Sequence, residues 1–188
     1  MRSRRTLLLT GRPGVGKTTI IKHIAQALGD RAGGFYTEEI LGPGGRKGFR
    51  VITLDGQQAT LAHVDIRSRS KVGRYGVDVA GFERVGVAAL RRAIESAEIV
   101  MFDEIGKMEL FSSRFKSAVI KAIDCGKPVI ATAMIAAEPW VDALKRMPGV
   151  RTIEVTKQNR GTMAVRVLQW LEDRLKSDLA GLGDPADG

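Results

Sequence analysis

The run Gly11-Arg-Pro-Gly-Val-Gly-Lys-Thr18 constrains this chain more than any other stretch of it. It spells G-x-x-x-x-G-K-[ST] in full and has the surroundings such a loop needs. Before it, Thr6-Leu7-Leu8-Leu9-Thr10 is short, unbroken and bounded by glycine, which predicts a strand buried on both faces. After it, the pattern predicts a helix from about Gly16 to Leu28, stopped by Gly29-Asp30. Glycines let backbone N–H groups turn inward, and the new helix aims its positive end at the same point, so the loop is a cradle for phosphate oxygens. Lys17 is placed to reach the β- and γ-phosphates as a mobile point charge, and Thr18 to offer its hydroxyl to Mg²⁺. A Cβ at Gly14 or Gly16 would crowd the phosphates. With Arg12, Pro13, Val15 and Thr19, the stretch Gly11 to Thr19 is the expected nucleotide-binding element.

Such a loop needs a second element, an apolar strand ending in an acid. Ile99-Val-Met-Phe-Asp103-Glu104 supplies it. Asp103 is the candidate to hold the metal through water. Glu104, directly after it at the carboxyl end of a strand expected beside the phosphate-loop strand, can orient and polarise an attacking water. That is the arrangement of phosphate-loop ATPases with an additional strand and a catalytic glutamate, the RecA-like and AAA-type branch. Gly106 predicts a sharp turn away from the sheet. Glu109 reads foremost as a solvated carboxylate at a helix start. Lys107 reads equally as a phosphate-neutralising or a surface residue.

Elsewhere, β-rich runs alternate with helical patterns: helix near Phe82 to Ala97, an apolar helical stripe from Phe111 to Ile123, a strand at Pro128 to Thr132, a short helix at Trp140 to Lys145, a strand at Arg151 to Thr156 and a last helix through Met163 and Leu175. Between them, Gly42-Pro43-Gly44-Gly45 and Asp55-Gly56 divide three β-rich runs, which predicts an antiparallel excursion between about residues 33 and 66. Arg67 to Gly81 reads as a long basic loop. The expectation is a three-layer α/β fold: a RecA-like, mostly parallel sheet with an antiparallel β-hairpin extension, one domain over residues 1–178 and a flexible tail over 179–188. At 188 residues, 44% hydrophobic and 27% charged, the chain can bury a sizeable core, and wholesale disorder is excluded. One cysteine, Cys125, cannot form an internal disulfide, and it reads as a small buried residue. No run approaches a membrane span, and the apolar stretch after Arg5 ends too soon for a signal peptide, so a cytoplasmic location is expected. The net charge of +9 favours an anionic partner, nucleotide or nucleic acid.

The chain resembles the small P-loop nucleoside-triphosphatases that include cancer-related nucleoside-triphosphatase and its bacterial and archaeal relatives. The resemblance runs through Thr10 to Thr19, Gly34-Phe-Tyr-Thr-Glu-Glu39, Gly45 to Phe49, Val72 to Asp78, Asp103-Glu-Ile-Gly-Lys-Met-Glu-Leu110 and Val155 to Arg160, in register over about residues 6 to 165. It implies Mg²⁺-dependent hydrolysis of nucleoside triphosphates, ATP and GTP among them, with loose base selectivity. It assigns nucleotide binding to Gly11 through Thr18 and to the stretch ending in Asp103-Glu104-Ile105-Gly106. Where the family strand at Pro128 to Thr132 leads into a polar or histidine-bearing turn, this chain has Ala133-Met134-Ile135, leaving Thr132 as the polar candidate for a sensor.

On this reading Glu104 and Lys17 are catalytic, and Thr18 and Asp103 hold the metal. The rivals are a nucleoside or polynucleotide kinase using the same loop, and a nucleotide-regulated RNA-binding switch. Aromatic residues are only 5% of the chain, with no row of them among the cations to stack bases, and a monomer or weak oligomer is expected. Weaker signals are Glu38 and Glu39, as cleft or edge-strand charges, Arg74 in its basic loop, as an arginine finger or a solvated cation, and Asn159-Arg160, as base contacts or a helix-start turn. His23 and His63 have no Cys/His cluster around them, so zinc is not indicated.

Overall fold

The computed structural model describes residues 5–180. Nine strands form one sheet: β1 (Thr6–Gly11), β2 (Ala32–Gly42), β3 (Gly45–Thr53), β4 (Gln58–His63), β5 (Lys71–Val72), β6 (Tyr75–Val77), β7 (Ile99–Ile105), β8 (Val129–Met134) and β9 (Val150–Glu154). The helices are α1 (Lys17–Leu28), α2 (Val79–Phe82), α3 (Ala88–Ser96), α4 (Ser113–Asp124), α5 (Pro139–Lys145) and α6 (Arg160–Ala180). Strand order is β5-β6-β4-β3-β2-β7-β8-β1-β9. The β2-β7-β8-β1-β9 half is parallel, and everything from β3 to β5 is antiparallel.

Alternation along the central strands sorts side chains into two layers. Leu7, Leu9, Ile99, Met101 and Ile130 pack under α1 and α6 with Ile20, Ile24, Met163 and Val167. Their neighbours Leu8, Val100, Phe102, Val129 and Ala131 face the other way, onto Leu90, Phe115, Val119 and Val141 of α3, α4 and α5. That is why these strands read as unbroken apolar runs: both faces are covered by helix. Phe35, Phe82, Phe102 and Phe115 form an aromatic knot in the second layer, with ring centroids 5.3 to 6.4 Å apart.

The structure corrects the sequence reading in two places. β8 separates β7 from β1, so the acidic strand is one strand removed from the phosphate loop and not beside it. Residues 67–81 are not a long loop: β5 and β6 add a short ribbon to the sheet edge, Asp78 caps α2 through Gly81 N–H at 2.8 Å, and a π turn over Glu83–Val87 runs on into α3. Two-residue and three-residue strands are too short to show a period, which hid them. α6 runs to Ala180, and the expected tail beyond it lies outside the described residues.

Close approach of β2 to β7 depends on Gly34, at φ +128°, where a Cβ would stand 1.7 Å from the Met101 carbonyl oxygen. Truncating the knot tests the packing. Phe115→Ala should cost about 3–5 kcal/mol of unfolding free energy, measured by urea melts.

Candidate active site

The phosphate loop spans from the end of β1 to the start of α1. Gly11, Gly14 and Gly16 take φ of 152°, 73° and 109°, values that side chains rarely adopt. Gly16, the residue before α1, has no side chain to cap the helix, so first-turn N–H groups face the loop without a side-chain acceptor. Lys17 is buried, and its ammonium donates to the carbonyl oxygens of Gly11 at 3.0 Å and Arg12 at 3.4 Å, closing the loop on itself. Val15 is buried under the loop, whereas Arg12, Pro13, Gly14 and Thr19 are exposed.

Asp103 is 1% exposed at the end of β7. Its Oδ2 accepts hydrogen bonds from Thr18 Oγ1 at 2.7 Å, Thr37 Oγ1 at 3.1 Å and Thr37 N–H at 3.4 Å, and Oδ1 accepts from Thr132 Oγ1 at 2.5 Å. Three threonines from α1, β2 and β8 thus converge on one carboxylate. Thr37 lies in the Gly34–Glu39 block, where the sequence draws the eye to the two glutamates instead. Those glutamates pair outside the cleft. Glu38 pairs with Lys22 and with Arg50 at 2.9 Å, and its carboxyl is held below the usual range, chiefly by the Lys22 contact. Glu39 pairs with Arg46 at 2.6 Å.

A cleft of about 270 Å³ is lined by Gly11, Pro13, Lys17, Thr37, Glu104 and Glu109, among others. A larger groove of about 710 Å³, between α1, α3 and the β2–β3 strands, holds none of the loop residues Gly11 to Thr18. Burial raises the proton affinity of Glu104, Asp103 raises it further, and Lys17 opposes the shift. Ile105 and Gly106 are buried directly behind it. Lys107 is exposed at the cleft rim.

Glu109 overturns its sequence reading. It is 4% exposed, not solvated, and sits in a 3-10 turn over Glu109–Phe111. Burial, then the nearby Glu104, pushes its carboxyl up from 4.5 to about 8, against the pull of backbone N–H groups at Glu109 and Gly106. Locally, Lys107-Met-Glu-Leu110 resembles an ordinary helix start, and nothing in its spacing reveals that β7 turns it inward.

The remaining candidates stand apart. Arg74 donates to the Arg46 carbonyl oxygen at 2.5 Å and to the Tyr75 hydroxyl at 3.3 Å, on the β5–β6 ribbon. Asn159 is committed to its own turn, accepting from Thr156 N–H at 2.9 Å and donating to the Glu154 carbonyl at 2.9 Å. Arg160 opens α6, its Cδ 4.0 Å from where a Cβ on Gly16 would lie. Cys125 is only partly buried, at the end of α4.

Known proteins share this architecture. A family profile described as NTPase matches residues 6–168. The chain belongs to this NTPase family. Nucleoside-triphosphatase THEP1 of Thermotoga maritima is 43% identical over 166 residues, 88% of this chain and 95% of the relative. The protein of the same name from Aquifex aeolicus is 41% identical over 175 residues, 88% and 98% of the two chains. Among solved structures, THEP1 from Aquifex aeolicus superposes with a TM-score of 0.83 at 40% identity, covering 89% of this chain and 99% of that one. A human cancer-related nucleoside triphosphatase gives 0.75 at 34% identity, covering 90% and 98%. The fold is that of the P-loop members of this family.

The Glu109 environment has a measurable consequence for stability. The native carboxyl keeps its proton up to about 8, while the unfolded one releases it near 4.5. Folding therefore takes up a proton in that window, and wild-type stability should fall as pH rises through it, by up to ~1.4 kcal/mol per pH unit, then level off. Glu109→Gln carries no titrating group and should lack that slope in urea melts across pH.

Proposed function

We propose that this chain catalyses Mg²⁺-dependent hydrolysis of nucleoside triphosphates, ATP and GTP among them, to diphosphate and inorganic phosphate. The observation that carries the reading is the 2.7 Å hydrogen bond from Thr18 Oγ1 to Asp103 Oδ2, which joins the loop to the acidic strand across 85 residues. The relatives named nucleoside-triphosphatase support hydrolysis over phosphoryl transfer to a hydroxyl.

The donor set suits Mg²⁺. One hydroxyl and one carboxylate are hard oxygen ligands, and Mg²⁺ draws its remaining ligands from phosphates and water. Among the described residues, no cluster of three or more His, Cys, Asp or Glu offers an all-protein cage for a different metal. Thr18 would hold the ion directly and Asp103 through water. By accepting the Thr18 proton, Asp103 leaves that hydroxyl's lone pairs free for the cation. When bound, Mg²⁺ neutralises charge building up on the β- and γ-phosphate oxygens.

Lys17 leaves the Gly11 and Arg12 carbonyls for the β- and γ-phosphates, which the loop's N–H groups cradle. Glu104 takes a proton from the attacking water as the water oxygen bonds to the γ-phosphorus. The bond from that phosphorus to the bridging oxygen breaks, and diphosphate departs. The raised proton affinity of Glu104 brings this base nearer neutrality, where general bases work best. The proposed binding residues, Gly11 through Thr19 and Asp103 through Gly106, address phosphates and metal, which every nucleoside triphosphate shares. Loose base selectivity follows from that. Among the described residues no helix is long and apolar enough to cross a membrane. We place the enzyme in the cytoplasm, as a monomer or weak oligomer.

Phosphate release from ATP, GTP, CTP and UTP tests the proposal. All four should turn over within about tenfold of one another, and EDTA should abolish turnover until Mg²⁺ is restored. Thr18→Ala should lower it by about tenfold or more at limiting Mg²⁺. Release seen only when a hydroxyl acceptor is added would point instead to a kinase.

A further inference from the structure

The cleft contains a second buried acid that the hydrolytic scheme does not use. Glu109 and Glu104 flank Gly106: a Cβ built on that glycine would lie 3.0 Å from Glu109 Oε2 and 3.3 Å from Glu104 Oε1. Both side chains line the same cavity as Lys17 and Gly11. Among the described residues Glu109 forms no ion pair; it is 4% exposed and held by the backbone N–H groups of its own turn and of Gly106.

Two carboxylates that flank one glycine in a small cleft cannot both be ionised cheaply, and Lys17 favours the charge on Glu104. From this geometry we propose that Glu109 is a positioning residue for the hydrolysis, a neutral carboxylic acid whose O–H orients the Glu104 carboxylate towards the water. The inference rests on the hydrolase reading of the cleft.

Burial makes Glu109 the natural holder of the proton, since its carboxyl is pushed up to about 8. The charged groups facing it from β7 are Glu104 and Asp103, both of which favour its neutral form, while Lys107 sits at the exposed rim. α2 and α4 also pack on this turn; Glu83, directly after α2, and Arg114 of α4 pair with each other at 3.3 Å. Ser112 Oγ also donates to Glu83 at 2.7 Å, so that carboxylate is occupied. Gly106 is the hinge of the arrangement: any side chain there would push into one or both carboxyls. With Glu109 neutral, Glu104 keeps a fixed direction and a free lone pair. With Glu109 ionised, it has no proton to donate and a second negative charge faces the γ-phosphate.

Steady-state phosphate release from Mg-ATP tests this with Glu109→Gln and Glu109→Ala in the full chain. Gln supplies a neutral donor of the same length, so Glu109→Gln should keep kcat within about threefold of wild type. Glu109→Ala should lower kcat roughly tenfold to a hundredfold with KM little changed. Wild-type kcat should decline as pH rises through about 8, and Glu109→Gln should not show that decline. Equal loss in Glu109→Gln and Glu109→Ala would mean that an ionised carboxylate acts at 109, and would overturn the proposal. So would wild-type kcat in Glu109→Ala, or the same alkaline limb in Glu109→Gln. If Glu109→Ala fails to fold, the paired pH profiles of wild type and Glu109→Gln still decide. Absence of phosphate release from wild type itself would sink the hydrolase reading, a result separate from any of these.

Discussion

One buried carboxylate organises the molecule. Removing the Asp103 charge from water costs several kcal/mol unless hydrogen bonds replace the lost hydration. The replacement comes from Thr18, Thr37 and Thr132, which reach it from α1, β2 and β8. Those donors meet only if the strands lie in the order β2-β7-β8-β1, with β7 and β8 in parallel register. The same carboxylate that ties the sheet together therefore sets where the phosphate loop stands relative to the acidic strand. Fold and site share a single constraint, and loosening it would disturb both.

The cleft and the surface obey opposite electrostatic rules. Asp103, Glu104 and Glu109 crowd the cleft, with Lys17 as the cation bearing on Glu104. Elsewhere, exposed cations pair with acids, as in Arg31–Glu98, Arg46–Glu39, Arg50–Glu38 and Arg92–Asp55. Such exposed pairs contribute at most about 1 kcal/mol each, so they describe the surface more than they stabilise the fold. Inside, under the proposed function, a metal-bound polyphosphate would meet aligned N–H groups and one lysine, beside a carboxyl whose proton affinity burial and Asp103 raise.

What the sequence made legible was whatever is local. The loop motif, the apolar strand ending in Asp103-Glu104, the two glycine turns of the antiparallel strands and the helical stripe of α4 all declare themselves within a dozen residues. What stayed hidden depends on strand order. Nothing along the chain says that β8 intervenes between β1 and β7, so Thr132 surfaced only as a leftover polar residue and Thr37 not at all as a partner of Asp103. Glu109 was misread for the same reason: its neighbours Lys107 and Met108 look like a solvated helix start, and only the inward turn after β7 buries it. Glu38, Glu39 and Asn159 carry a functional and a structural reading alike along the chain, and each is bound up in an ion pair or its own turn.

The account stands on Glu104 as the group that takes the proton from the attacking water. Glu104→Gln preserves the volume and the loop, and removes only the base. Phosphate release and equilibrium nucleotide binding, measured on that variant beside wild type with Mg²⁺ present, isolate its role. The account predicts turnover lowered by about 10²-fold or more with nucleotide affinity preserved. Turnover near the wild-type rate with affinity intact would contradict it.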